Sequence, residues 1–136
     1  MNMIEFEAKA VESFKNEFTK DFVVFNLFFE ESDPETGGES WNFQRALGAD
    51  GTVESLGEED EGVCVAKEVQ QQTFHEDIES VVLSRNRLVC EFSSQRAALL
   101  GFLGLDIAFH ILDEEWERLV KMSESVFLNR EYFRIA

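Results

Sequence analysis

At 136 residues with a formal charge of −16, the chain has the length of one domain with a sizeable core, and it is strongly acidic. Such a charge repels a phosphate backbone, which argues against nucleic acid and favours either solubility alone or a basic partner. Fourteen Phe against a single Tyr point to an apolar core rather than a wet aromatic surface.

The acidity is uneven: residues 1–68 hold 17 acids and 5 bases, residues 69–136 hold 11 acids and 7 bases. The amino terminus has no basic start followed by an apolar segment, so no secretory signal is expected. No apolar run approaches the ~20 residues of a membrane span. A soluble, cytoplasmic protein without membrane attachment is the expectation.

Residues 4–10 alternate, with Ile4, Phe6, Ala8 and Ala10 against Glu5, Glu7 and Lys9, which predicts a half-buried strand. Residues 11–20 are ambiguous. Val11, Phe14 and Phe18 fit a helical stripe, while the dense charge suits a connection, and a connection is the expectation. Residues 21–29 are the most apolar run and predict a strand covered on both faces.

The only proline, Pro34, then sits among Gly37, Gly38 and acids, marking an exposed loop. Residues 41–47 predict a strand that sets Trp41, Phe43 and Arg45 against Asn42, Gln44 and Ala46. A second acidic, glycine-bearing loop spans 48–62 and contains Glu58, Glu59, Asp60 and Glu61. Residues 63–69 resume strand character, and 70–76 are expected to connect it to a central hairpin.

That hairpin, residues 77–92, has two apolar runs around Ser84-Arg85-Asn86-Arg87, where Asn86 tolerates positive φ. Ser93 then caps a short helix over 94–101 that closes on Gly101. Residues 105–112 alternate again. Asp113 is the expected N-cap of an amphipathic helix over 114–128, with Trp116, Leu119, Val120, Ser123 and Phe127 along one stripe. The tail docks as a last strand through Tyr132, Phe133 and Ile135. The expected architecture is one α+β domain, a curved and mainly antiparallel sheet of about six or seven strands with two helices.

Few residues suggest chemistry. Cys64 and Cys90 read as buried thiols of a reducing compartment, with a disulfide between neighbouring strands as the alternative. Two Cys and two His spaced this way build no usual metal site. His75 and Glu76 form a conceivable acid–base pair beside Asp77, though neighbours in a loop often point apart. His110 reads as a sheet-surface residue. Phosphate-loop, Cys-x-x-Cys, His-Glu-x-x-His and Gly-x-Ser-x-Gly patterns do not occur. No catalytic residue, cofactor or metal is therefore expected.

The carboxylates at 58–61 lack the spacing of a calcium loop. They read as a solvated loop or as part of a surface for a basic protein. The candidate surface combines Glu30, Glu31, Asp33, Glu35, Glu58, Glu59, Asp60 and Glu61 with Trp41, either an aromatic anchor or a core residue.

Three pieces, residues 43–47, residues 78–88 and the small helix with Ala97, Ala98 and Leu99 leading into 105–112, resemble the immunity protein 10 family of bacterial polymorphic-toxin systems. The likeness covers roughly residues 40–127, and departs from the family around 58–61 and 70–74. It implies a small, mostly β domain that binds and blocks a cognate toxin without catalysis, its gene beside the toxin gene. An acidic adaptor or secretion-chaperone-like module is the alternative, and either would be a monomer or homodimer.

Overall fold

The computed structural model describes residues 1–19, 22–31, 38–48, 62–67 and 72–136. These form ten strands and two helices. In chain order they are β1 (Met3–Ala8), β2 (Ala10–Thr19), β3 (Phe22–Glu30), β4 (Ser40–Leu47), β5 (Val63–Lys67) and β6 (Gln72–His75), followed by β7 (Ile78–Ser84), β8 (Arg87–Phe92), α1 (Ser94–Leu100), β9 (Gly104–Phe109), α2 (Asp113–Val126) and β10 (Phe133–Ile135). The α+β class and both helices hold. The strands divide into two five-stranded sheets in place of one sheet of six or seven.

Sheet B has the order β2-β3-β4-β5-β6 and is antiparallel throughout. Sheet A has the order β1-β9-β8-β7-β10, with the central hairpin antiparallel and both edge strands added in parallel. The chain passes from sheet A to sheet B at Lys9, and returns at Glu76–Asp77.

Two segments expected to be connections are strands. β2 pairs with β3 from Ala10 opposite Glu30 to Thr19 opposite Phe22. The backbone demand of so apolar a neighbour outweighs the weak helical stripe, and it turns Phe14 outward. β6 is short and polar, yet Phe74 reaches the core opposite Val65.

Two local details also differ. Asn86 is not among the positive-φ residues, so the hairpin turns without a left-handed residue there. The N-cap of α2 is Leu112, with Asp113 the first helical residue and the Glu115 carboxylate accepting from the Leu112 amide at 3.1 Å.

Alternation sends Leu27, Phe29, Trp41, Phe43, Val63, Val65 and Phe74 of sheet B toward Phe6, Val81, Leu83, Leu88, Cys90, Phe92, Leu105, Ile107 and Phe109 of sheet A in one cluster. Ring contacts join the sheets, Phe74 to Phe92 at 5.3 Å and Phe29 to Phe109 at 6.0 Å. α2 covers the remaining inner surface of sheet B, over β2, β3 and β4, and buries Leu119, Val126 and the following Phe127. Burial of each such side chain contributes about 1.5–3 kcal/mol.

Arg45 shares this inner face and is fully buried. Its Nη1 donates to the carbonyls of Val126 at 3.3 Å and Leu128 at 3.2 Å. The guanidinium thus meets the negative end of the α2 dipole and carbonyls that have no partner inside the helix.

Candidate protein-binding surface

Of the residues expected to meet a partner, Asp33, Glu35, Glu58, Glu59, Asp60 and Glu61 lie outside the described residues. Glu30 ends β3 and Glu31 follows it, both half-buried, beside Glu39 on the approach to β4. The Glu31 carboxylate accepts from the Glu39 amide at 3.0 Å, and the Glu31 amide donates to the Glu39 carbonyl at 2.8 Å. Glu39 in turn accepts from the Trp41 indole at 3.0 Å and pairs with Lys67 at 3.4 Å.

Trp41 itself is only 1% exposed, against Phe92 and Phe102. It is the core residue of the two alternatives, and its ring is no surface anchor. Lys67 lies over that ring, 5.8 Å from its centroid.

A second acidic surface was not singled out in the sequence. In sheet A, the residues between the core positions all point the other way. Register aligns Glu5, Asp106, Val89, Val82 and Arg134 in one rung across five strands, with Glu7, Ala108, Arg87 and Ser84 in the next. Val82, Val89 and Ala108 are half-buried there, and Glu5, Glu7 and Glu91 stand exposed around them.

Arg87 and Asp106 form a two-pronged pair at 2.5 and 2.6 Å. Hydrogen bonding and attraction from Asp106, with a further pull from Glu5, raise the Arg87 pKa and keep the guanidinium charged. Among the described residues Glu5, Glu7 and Glu91 have no ion-pair partner, so the face presents net negative charge around an apolar stripe. The alternation of 4–8 with Glu5 and Glu7 outward was its one visible signal.

The His75–Glu76–Asp77 constellation builds a corner. Glu76 and Asp77 both lie at positive φ, 58° and 61°, a conformation that costs a non-glycine residue about 1–2 kcal/mol. Their carboxylates diverge. Glu76 accepts from Arg130 Nε at 2.7 Å, Tyr132 Oη at 2.8 Å and the Val63 amide at 3.0 Å. Asp77 is held by Arg96 at 2.7 and 2.9 Å, whose guanidinium lies over Phe74, 4.5 Å from its centroid.

Gly62 at φ 80° makes this arrangement possible, since a Cβ there would sit 2.3 Å from the Glu76 carboxylate. Burial first, then the bond to Glu76, pushes the Tyr132 phenol well above its ordinary pKa. His75 is exposed at the end of β6, and His110 is exposed just past β9. Neither cysteine is in a disulfide. Cys64 is partly exposed on the outer face of sheet B, whereas Cys90 is buried in sheet A, its thiol pushed up by desolvation. No group of three or more metal-ligating side chains occurs among the described residues.

No helix among the described residues is long and apolar enough to cross a membrane. No family model, curated protein or solved structure matches the chain.

Proposed function

We propose that the protein is a non-catalytic immunity protein, which binds a basic cognate toxin of a bacterial polymorphic-toxin system and blocks it. The observation that carries this is uncompensated negative charge on rigid strands. Glu5, Glu7 and Glu91 stand on the open face of sheet A without a close ion pair among the described residues, and with Asp106 they outnumber Arg87 and Arg134 of that face. Charge displayed in this way speeds encounter with a cationic protein and repels wrong partners. Backbone pairing has already ordered the strands that carry it, so binding costs them little entropy.

In this proposal Glu30, Glu31, Asp33, Glu35, Glu58, Glu59, Asp60 and Glu61 also meet the toxin, and Trp41 stays in the core. The likeness of residues 40–127 to the immunity protein 10 family supports the same class. Engagement of Glu76 by three donors and of Asp77 by Arg96 supports a stabilising role for that corner rather than proton transfer.

Co-expression with the product of the neighbouring gene tests the proposal. A complex that survives gel filtration, together with growth of cells that die when the toxin is made alone, is the expected result. A toxin that binds yet stays active in excess of this protein points to an adaptor, and no complex removes the reading altogether.

A further inference from the structure

The acidic surface leaves a contrary feature unused, a basic seam along the β2 edge of sheet B. Among the described residues β2 pairs on one side only, with β3. Beside its other edge runs a groove of about 610 Å³, walled by Lys9, by Ala10 to Phe14 of β2, and by Glu115, Arg118 and Leu119 of α2. Arg118 also borders a smaller hollow of about 260 Å³, where Lys15 and Lys121 surround a floor of Phe25 and Met122. The two spaces share Arg118 and lie end to end between β2 and the flank of α2, as the two parts of a trough.

Charge in the trough is unexpected for this protein. Lys9, Arg118 and Lys121 have no ion-pair partner among the described residues, and Lys15 has only Glu17 at 3.6 Å, both side chains exposed. Glu12 and Glu115 lie at the Lys9 end, and the Glu115 carboxylate is already taken by the Leu112 amide. The lining of the far end holds cations over apolar carbon and no carboxylate, Glu17 reaching Lys15 from outside it. A protein with 28 acids and 12 bases gathers four of those bases along a single trough.

We infer that this trough takes an extended peptide of a partner protein, added to β2 as an outer strand and carrying carboxylates for Lys15, Arg118 and Lys121. An unpaired strand edge supplies a row of backbone donors and acceptors, and alternate side chains of an added strand point toward the wall it lies against. About six residues would span the stretch from Lys9 to Phe14 at ~3.4 Å each. The alternate residues that carry carboxylates face α2, above Phe25 and Met122, and the apolar residues between them face away from it. This inference does not depend on the immunity proposal, because it concerns another face and the opposite charge.

The test is a titration of the ¹⁵N-labelled protein with acetyl-Val-Glu-Val-Glu-Val-Glu-amide, read by amide shifts. Saturable shifts confined to residues 10–15 and 118–125 are expected. The affinity should fall at least tenfold for Arg118→Glu/Lys121→Glu, and as much when alternate amides of the peptide are N-methylated. The Val-Lys counterpart should leave the spectrum unchanged.

Absence of saturable shifts overturns the inference and marks Lys15 as a device that blunts a bare edge. Equal binding of the N-methylated peptide leaves charge without strand pairing, and equal shifts from sodium glutamate leave a small-anion site. Concentration-dependent shifts of the same amides without peptide would make the occupant a second copy. Each of these outcomes contradicts the proposed occupant.

Discussion

Arg45→Met removes a buried cation and retains most of its volume. Arg45 is fully buried and gives hydrogen bonds to the Val126 and Leu128 carbonyls at the end of α2. Bonds from a charged donor contribute about 1.5–3 kcal/mol each, and the helix dipole adds up to ~2 kcal/mol in partly buried geometry. Against this, methionine needs no desolvation of a charge, and that relief is worth ~1–4 kcal/mol where buried ions are replaced by apolar groups. A net loss of about 3 kcal/mol follows for Arg45→Met, and more for Arg45→Ala, which also leaves a cavity.

Urea denaturation measures it. With a slope of ~2 kcal/mol/M, the midpoint should fall by roughly 1.5 M for Arg45→Met. Hydrogen exchange should accelerate first in the last turn of α2, where the carbonyls have lost their donor. A midpoint within about 0.3 M of the parent, with those amides equally protected, would refute the capping role and leave Arg45 a tolerated passenger in the core.

Three further outcomes follow from the same geometry. Gly104→Ala would place a Cβ 2.0 Å from the Cys90 carbonyl oxygen on the neighbouring strand; a cost of about 3 kcal/mol, or roughly 10 °C in Tm by thermal melting, is expected. Tyr132→Phe loses a bond to Glu76 worth about 1.5–3 kcal/mol at neutral pH. Because the folded phenol titrates above its unfolded value near 10, its contribution is complete below about pH 10 and lost above it, so the variant should show a flatter alkaline limb in denaturation against pH. An aromatic disulfide reagent should titrate one thiol, Cys64, in the native protein, and Cys90 only after unfolding.

The parts legible in the sequence share one property, a pattern complete within a few residues. The hairpin of β7 and β8 shows two apolar runs around a polar corner, and α1 carries its own cap and stop, Ser93 and Gly101. β2 was hidden because its dense charge suits a connection and Val11, Phe14 and Phe18 a helical stripe, and only pairing with β3 makes the segment a strand. The division into two sheets depends on β1 meeting β9 and β10 meeting β7, pairings that local periodicity does not encode.

The sites divide in the same way. Acidic loops and the outward Glu5 and Glu7 can be seen as charge, but assembly of Glu5, Asp106, Val89 and Val82 into one rung needs the register. Glu76 stood out as a neighbour of His75, whereas its partners Arg130 and Tyr132 come from the far end of the chain.

Association kinetics with the proposed toxin partner, measured against salt, bear most directly on the proposal that fixed surface carboxylates recruit a basic protein. Complex formation should slow at least tenfold between ~0.05 M and ~0.5 M NaCl, and a Glu5→Lys/Glu7→Lys/Glu91→Lys variant should associate slowly with little salt dependence. A parent protein whose association rate ignores salt, or a variant that binds as fast as the parent, would contradict the claim.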